Sequence, residues 1–268
     1  MRRSLAYLTA IGLSVVGLQA ASAADMGVPL KSPPPAPVPY SWTGFYFGVN
    51  GGAGSGTNEA SFNIGSFLAS FPIPGVGFTL PFPSQTFTGF LGGAQAGYNW
   101  QTGVFVLGIE GDFDGAFLQG NTACILVFNC NVKQDWVADI TARVGVVAFD
   151  KALVYVKGGA AWTDVKYSVG NSLHLPFGPP GGVTLAANAS GTDTPVGGLL
   201  GMGIEYGFLP NWSAKIEYNF IDFGSFNEGL GITCGITPGP KCPAGLPAAP
   251  FQFKETLQIM KAGVNYRF

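Results

Sequence analysis

From Trp42 onward the chain runs in segments of about ten residues in which large apolar side chains alternate with small or polar ones. A period of two is that of a β-strand whose two faces meet different surroundings, because successive side chains point to opposite sides. Helix is disfavoured, since glycine is dense within the segments and the period is not 3.6. In the first segment Phe45, Phe47 and Val49 oppose Tyr46, Gly48 and Asn50. Thr88 to Trp100 sets Phe90, Ala94, Ala96, Tyr98 and Trp100 against Gly93, Gln95, Gly97 and Asn99. The third places Phe105, Leu107, Ile109 and Phe113 opposite Glu110 and Asp112. Val132 to Phe149 opposes Trp136, Ala138, Ile140, Val144 and Val146 to Asp139, Thr141 and Arg143.

In the fifth, Val154, Val156, Ala160 and Trp162 face away from Tyr155, Lys157 and Thr163. Pro195 to Phe208 carries Val196, Leu200, Met202, Ile204, Tyr206 and Phe208 against Glu205 and a row of glycines. The seventh sets Trp212, Ala214, Ile216, Tyr218 and Phe220 opposite Ser213, Lys215, Glu217 and Asn219. The last has Met260, Ala262, Val264, Tyr266 and Phe268 opposite Lys261, Asn265 and Arg267.

Connections between segments alternate in length: long at 54–87, 115–131, 168–194 and 224–253, short at 101–103, 150–151 and 209–211. An even strand number with short periplasmic turns and long external loops is the pattern of bacterial outer-membrane barrels. The sequence therefore predicts an all-β fold: an eight-stranded antiparallel transmembrane β-barrel with both ends of the barrel chain in the periplasm. A hairpin within the long first connection, giving ten strands, is the alternative.

Which face meets lipid follows from the charges. They share a face with Gly, Ser, Thr and Asn, whereas the other face is almost wholly apolar or aromatic. A soluble barrel would bury the apolar face, but eight strands leave an interior just wide enough to be filled by side chains. Only 10% of residues are charged, against about 25% in a typical globular domain. The apolar face is thus expected to meet lipid, with Trp42, Trp100, Trp162 and Trp212 in the aromatic girdles.

The start of the chain fits export. Arg2 and Arg3 precede an uncharged stretch from Leu5 to Leu18 and the small-residue cleavage pattern Ala21-Ser22-Ala23, which reads as a secretory signal over residues 1–23. The apolar run falls short of the roughly 20 residues of a spanning helix. Residues 24–41 form a Pro-rich periplasmic lead-in, and 42–268 the barrel. The net charge of −2 offers no basic face for nucleic acid. Cys124 with Cys130 and Cys234 with Cys242 lie in two close pairs, and an oxidising periplasm favours two local disulfides. Zinc is the alternative, but the spacing is not Cys-x2-Cys and no His lies nearby.

Ser41-Trp42-Thr43-Gly44-Phe45-Tyr46, followed by Gly48-Val49-Asn50-Gly51-Gly52, and the ending Ala262-Gly263-Val264-Asn265-Tyr266-Arg267-Phe268 resemble the alpha-proteobacterial outer-membrane immunogenic proteins. These are RopB-type surface barrels related in fold to the OmpA transmembrane domain. The resemblance spans about residues 41–268. It implies an abundant porin-like surface barrel in which Phe268 serves recognition by the barrel assembly machinery. The long Phe- and Pro-rich first connection and the two cysteine pairs depart from the family pattern.

Glu110, Asp112, Asp139, Arg143, Lys157, Glu205, Lys215, Glu217, Lys261 and Arg267 are the inward charges. Isolated charge in a narrow lumen is costly, so Glu110 or Asp139 is expected to meet Arg143 or Lys157, and Glu205 or Glu217 to meet Lys215, Lys261 or Arg267. A lumen plugged by paired charges is the expectation; an ion path whose selectivity they set is the alternative.

No catalytic residue, metal site or cofactor is predicted. His174, the one histidine, shares a connection with Ser172, Asp164 and Asp193, but one connection holding these residue types is common by chance. The runs Gly51-Gly52-Ala53-Gly54-Ser55-Gly56 and Gly197 to Gly203 lack the Lys-Ser/Thr ending and helix of a phosphate loop.

Expected partners are outer-membrane lipid and lipopolysaccharide, the assembly machinery and an external surface ligand. Phe62, Ile64, Phe67, Phe71, Phe78 and Phe82 give the first connection an apolar load suited to such contacts. The functional expectation is a non-enzymatic surface barrel contributing to envelope integrity, with a narrow porin or an adhesin as alternatives.

Overall fold

A computed structural model describes residues 40–63, 79–81, 83–125, 128–149, 151–175, 183–237 and 249–268. The segment 1–23 read as a secretory signal and the Pro-rich stretch up to residue 39 lie outside these residues.

The strands are β1 (Gly44–Asn63), β2 (Thr79–Pro81), β3 (Gln85–Thr102), β4 (Phe105–Ile125), β5 (Phe128–Ala148), β6 (Ala152–Thr163), β7 (Val165–Leu175), β8 (Val183–Asp193), β9 (Val196–Leu209), β10 (Trp212–Thr237) and β11 (Ala249–Arg267). Eight of them close a ring in the order β1-β3-β4-β5-β6-β9-β10-β11, every pair antiparallel. The seam is the β1–β11 ladder, which runs from Tyr46↔Arg267 to Phe62↔Phe251. Among the described residues β2 pairs with β1 alone, over three residues, and the first connection adds no strand to the ring.

Six of the eight ring strands, β1, β3, β4, β5, β10 and β11, far exceed the 9–11 residues that cross a bilayer: β4 and β5 have 21 each and β10 has 26. Much of what the sequence reads as external connection is therefore wall. β7 and β8 form a hairpin that prolongs it, with β7 pairing β5 above β6 and β8 pairing β10 above β9. At the break between β6 and β7, the Asp164 carboxylate accepts from the backbone N–H of Asp135 (2.9 Å) and of Trp136 (3.0 Å), so the donors freed by the irregularity are satisfied.

Outward rows of Phe, Leu, Ile, Val and Met stand exposed around the ring. They end toward the outside at Phe90, Phe117, Trp136 and Met260, beyond which the outward residues are Thr88, Gln119, Lys133, Lys166, Lys254 and Gln258. This change of polarity marks the outer membrane boundary. Trp100 and Trp212 are exposed at the opposite rim, as a girdle requires. Trp42 is not: it is 0% exposed, turned into the lumen among Val106, Leu153 and Tyr155, with its backbone N–H on Gln101 Oε1 at 2.7 Å. It precedes the first strand, and so escapes the alternation that assigns a residue to one face.

Two interior layers follow. An ionic layer lies at membrane depth, and an apolar layer that includes Phe87, Leu118, Val132, Phe223, Phe253 and Leu257 lies toward the outside.

Candidate functional site

Alternation aims Glu110, Asp112 and Asp114 of β4 into the lumen, and barrel closure brings them to cations from the facing walls. The Glu110 carboxylate accepts from Lys157 Nζ at 3.2 Å, Lys215 Nζ at 3.1 Å and the Tyr46 hydroxyl at 2.8 Å, with Arg143 Nη1 at 3.5 Å. Glu217 accepts from Lys157 at 2.6 Å and Lys215 at 3.3 Å, and from the Tyr155 hydroxyl at 2.8 Å. Lys261 donates to Asp112 at 2.8 Å and Asp114 at 3.1 Å. Asp139 lies 3.9 Å from Lys157.

Arg143 reaches Glu205 at 3.3 Å and donates through Nε to Asn99 at 2.9 Å. Its guanidinium carbon lies 4.6 Å from the Tyr46 ring centroid and 5.2 Å from that of Tyr155, a cation between two aromatic faces. Glycines make room for these rings. A Cβ on Gly97 would fall 2.3 Å from the Tyr46 hydroxyl, and one on Gly203 would fall 2.6 Å from that of Tyr155. The Gly-rich face thus serves ring packing in the lumen.

None of the ten inward charges named from sequence is more than 5% exposed. Their partners differ in part from expectation. Lys261 meets Asp112 and Asp114, not Glu205 or Glu217. Arg267 has no carboxylate within 4 Å among the described residues; it stacks over Tyr40 and Trp42 at 4.9 and 4.6 Å and donates to the Ser41 carbonyl, closing the periplasmic mouth. Sequence reading passed over Asp114, although its i+2 spacing from Asp112 put it in the same row, and over Tyr46 and Tyr155 as hydroxyl donors.

Six carboxylates (Glu110, Asp112, Asp114, Asp139, Glu205, Glu217) face five cations (Arg143, Lys157, Lys215, Lys261, Arg267). This is a nearly balanced mixture, unlike the single-sign rings that select ions.

A second polar group lies outside the membrane, in the apolar layer. Glu255 of β11 is 0% exposed and accepts from Asn58 Nδ2 of β1 at 3.1 Å, Tyr167 OH of β7 at 2.8 Å and Gln134 Nε2 of β5. Burial pushes its carboxyl up to about 7, against those hydrogen bonds. Sequence analysis missed it because residue 255 falls between the stretch 224–253 read as a connection and the alternation that becomes legible from Met260.

Cys130 is held in a disulfide; the side chains of Cys124, Cys234 and Cys242 lie outside the described residues, as do those of Phe62, Ser172 and His174, and all of Ile64, Phe67, Phe71, Phe78 and Phe82. Asp164 is occupied by backbone N–H groups, and Asp193 accepts from Thr194 N at 2.7 Å. Phe268 is 78% exposed, its N–H on the Phe45 carbonyl at 3.0 Å.

The family model of the outer membrane protein beta-barrel domain matches residues 9–268. The 31 kDa outer-membrane immunogenic protein of Brucella melitensis is 36% identical over 214 residues, covering 77% of this chain and 82% of that protein. The 25 kDa outer-membrane immunogenic protein of Brucella abortus is 25% identical over 235 residues, covering 86% and 91%. Among solved structures, the outer membrane protein OprG from Pseudomonas aeruginosa aligns with a TM-score of 0.44 at 7% identity, covering 86% of this chain and all of that one.

Proposed function

Because this chain belongs to the outer membrane beta-barrel family, we propose that it is a sealed, non-enzymatic barrel of the outer membrane that contributes to envelope integrity and acts through the walls it raises outside the membrane. The observation that carries this reading is the Glu110 centre. Side chains from β1, β4, β5, β6 and β10 meet on one carboxylate, so the ionic layer spans the lumen. The Trp42–Arg267 contact lies toward the periplasm and the Phe253 layer toward the outside. An ion entering from either side would have to cross apolar packing before reaching charges already paired with one another, a barrier of the dewetting kind.

The outward face supports the contacts this role needs. Its apolar rows suit acyl chains, and outward Lys133, Lys166 and Lys254 beyond them suit the phosphates of lipopolysaccharide. The outward Phe268 suits recognition by the assembly machinery.

The test is conductance of the refolded protein in planar bilayers, with heat-modifiable migration in gels as the measure of folding. A folded barrel in a silent bilayer is the expected result. Discrete steps whose ion selectivity moves in a Lys157→Ala variant would overturn the sealed reading in favour of a narrow porin.

A further inference from the structure

Glu255 is held unlike the other carboxylates of the interior. Four strands from different parts of the wall meet at it, and the groups that meet there are neutral: the Asn58 and Gln134 amides and the Tyr167 hydroxyl. Tyr167 stacks on Phe253 at 4.0 Å between ring centroids, and Phe226 and Phe251 pack against Phe253 in turn. Charges on the same strands point elsewhere. Glu59 of β1, Lys133 of β5, Lys166 of β7 and Lys254 of β11 are exposed on the outer wall, with Asp135 among the two lysines of β5 and β7. Asp193 of β8 accepts from the neighbouring backbone. Below, Lys261 is committed to Asp112 and Asp114. Among the described residues no Lys, Arg or His comes within 4 Å of Glu255.

A carboxylate in such a place carries a desolvation penalty that three neutral donors offset only in part, with no countercharge beside it. Its protonated form carries no such penalty. Gln134 is suited to either form: its Nε2 donates to the carboxylate, while its buried Oε1 has no partner and, after a turn of the amide, can accept from a carboxylic O–H.

We propose that Glu255 is a proton-operated latch, closing the outer half of the barrel interior when protonated and letting water into it when ionised. The occupant is the proton, and the moving part is the layer of Tyr167, Phe226 and Phe253 with the strand ends that carry them. The position lies outside the membrane, where the latch is exposed to the pH of the surroundings. The inference goes beyond the sealed-barrel reading without depending on it, because the ionic layer and Trp42 lie below the latch and stay closed in both of its states.

The direction follows from linkage. The folded carboxyl is pushed up to about 7 from its ordinary 4.5, so the stability it contributes is full below about 4.5 and lost as pH rises through 7. The experiment is amide hydrogen exchange of the whole protein in detergent micelles between pH 6 and pH 8, corrected for the intrinsic pH dependence of exchange. Segments 55–60, 164–170 and 250–257 report on the latch and segment 138–146 on the lower wall. The opening constant of the latch segments is expected to rise about tenfold from pH 6 to pH 8, with the lower wall unchanged.

Glu255→Gln is expected to abolish that rise. Tyr167→Phe, which removes a donor from the carboxylate, is expected to move the midpoint to higher pH and keeps the test decisive if the first variant folds poorly. A wild type whose latch segments do not change with pH, a rise that persists in Glu255→Gln, or a midpoint that stays put in Tyr167→Phe would each overturn the latch. The conductance test of the sealed lumen is independent of all three.

Discussion

β11 passes through two interiors on its way down the barrel. In its lower part Met260, Val264 and Tyr266 face outward while Lys261, Asn265 and Arg267 face the lumen; in its upper part Lys254 and Gln258 face outward while Phe253 and Leu257 face inward. The strand keeps its period of two, but the polarity of its faces is exchanged where the solvent outside changes from lipid to water. At membrane depth the apolar side chains are taken up by the outer face, and the ring is filled by charges in mutual contact. Above it the outer face must satisfy water, and the interior reverts to the packing of a soluble protein. One wall therefore carries two kinds of core with different dependences on charge, volume and pH.

The comparison can be broken most decisively at Glu110. Replacing it with Ala leaves Arg143, Lys157 and Lys215 short of their shared anion, and removal of one partner from a buried ionic set costs about 3–5 kcal/mol. Denaturant unfolding in micelles, followed by heat-modifiable migration, should show that loss; a Glu110→Ala barrel as stable as the wild type would mean that the lower core is held by its walls alone.

The upper core is expected to answer to volume instead. Leu257→Ala should destabilise by about 2–5 kcal/mol, as truncation in a packed apolar core does. Proteolysis of the outer walls should speed up before the membrane-embedded part unfolds. A matching rise in both parts at once would show that the two cores unfold as one.

The smallest effect belongs to the outer surface. Lys133 sits 2.6 Å from Asp135 with half its side chain exposed, and such pairs contribute at most about 1 kcal/mol. Lys133→Ala should leave unfolding midpoints within that margin, and a larger loss would place a structural role on the outer wall.

How much of this was legible depends on which solvent lies outside. Where lipid does, the alternation is strong: Phe105, Leu107 and Ile109 against Glu110 and Asp112 give the strand, its facing and its inward charges directly. Where water does, the outward row becomes Ser55, Thr57 and Glu59, a polar run that reads as a connection although it is wall. Glu255, paired across the seam with Asn58 of that run, lies on β11 between the connection 224–253 and the legible alternation from Met260, and was passed over with it. The cross-lumen partners were illegible for another reason. Arg143 meets Glu205, and Lys261 meets Asp112, through the closure and stagger of the ring, which the order of residues along the chain does not state. Trp42 reads as a girdle residue by its type, and only the geometry of Arg267 above it reveals an interior one.

The seam between β1 and β11 sets the order of events in folding. Arg267 and the Ser41 carbonyl it holds are 226 positions apart in the chain, so this closure is among the most sequence-distant contacts in the molecule and pays its loop entropy last. Until β11 arrives, β1 is an open edge with the backbone donors and acceptors of that edge unpaired, in a chain whose outer face is apolar at membrane depth. Such an edge invites the wrong strand from another copy. The interval between synthesis of the first strand and capture of the last is thus the period when aggregation competes with folding.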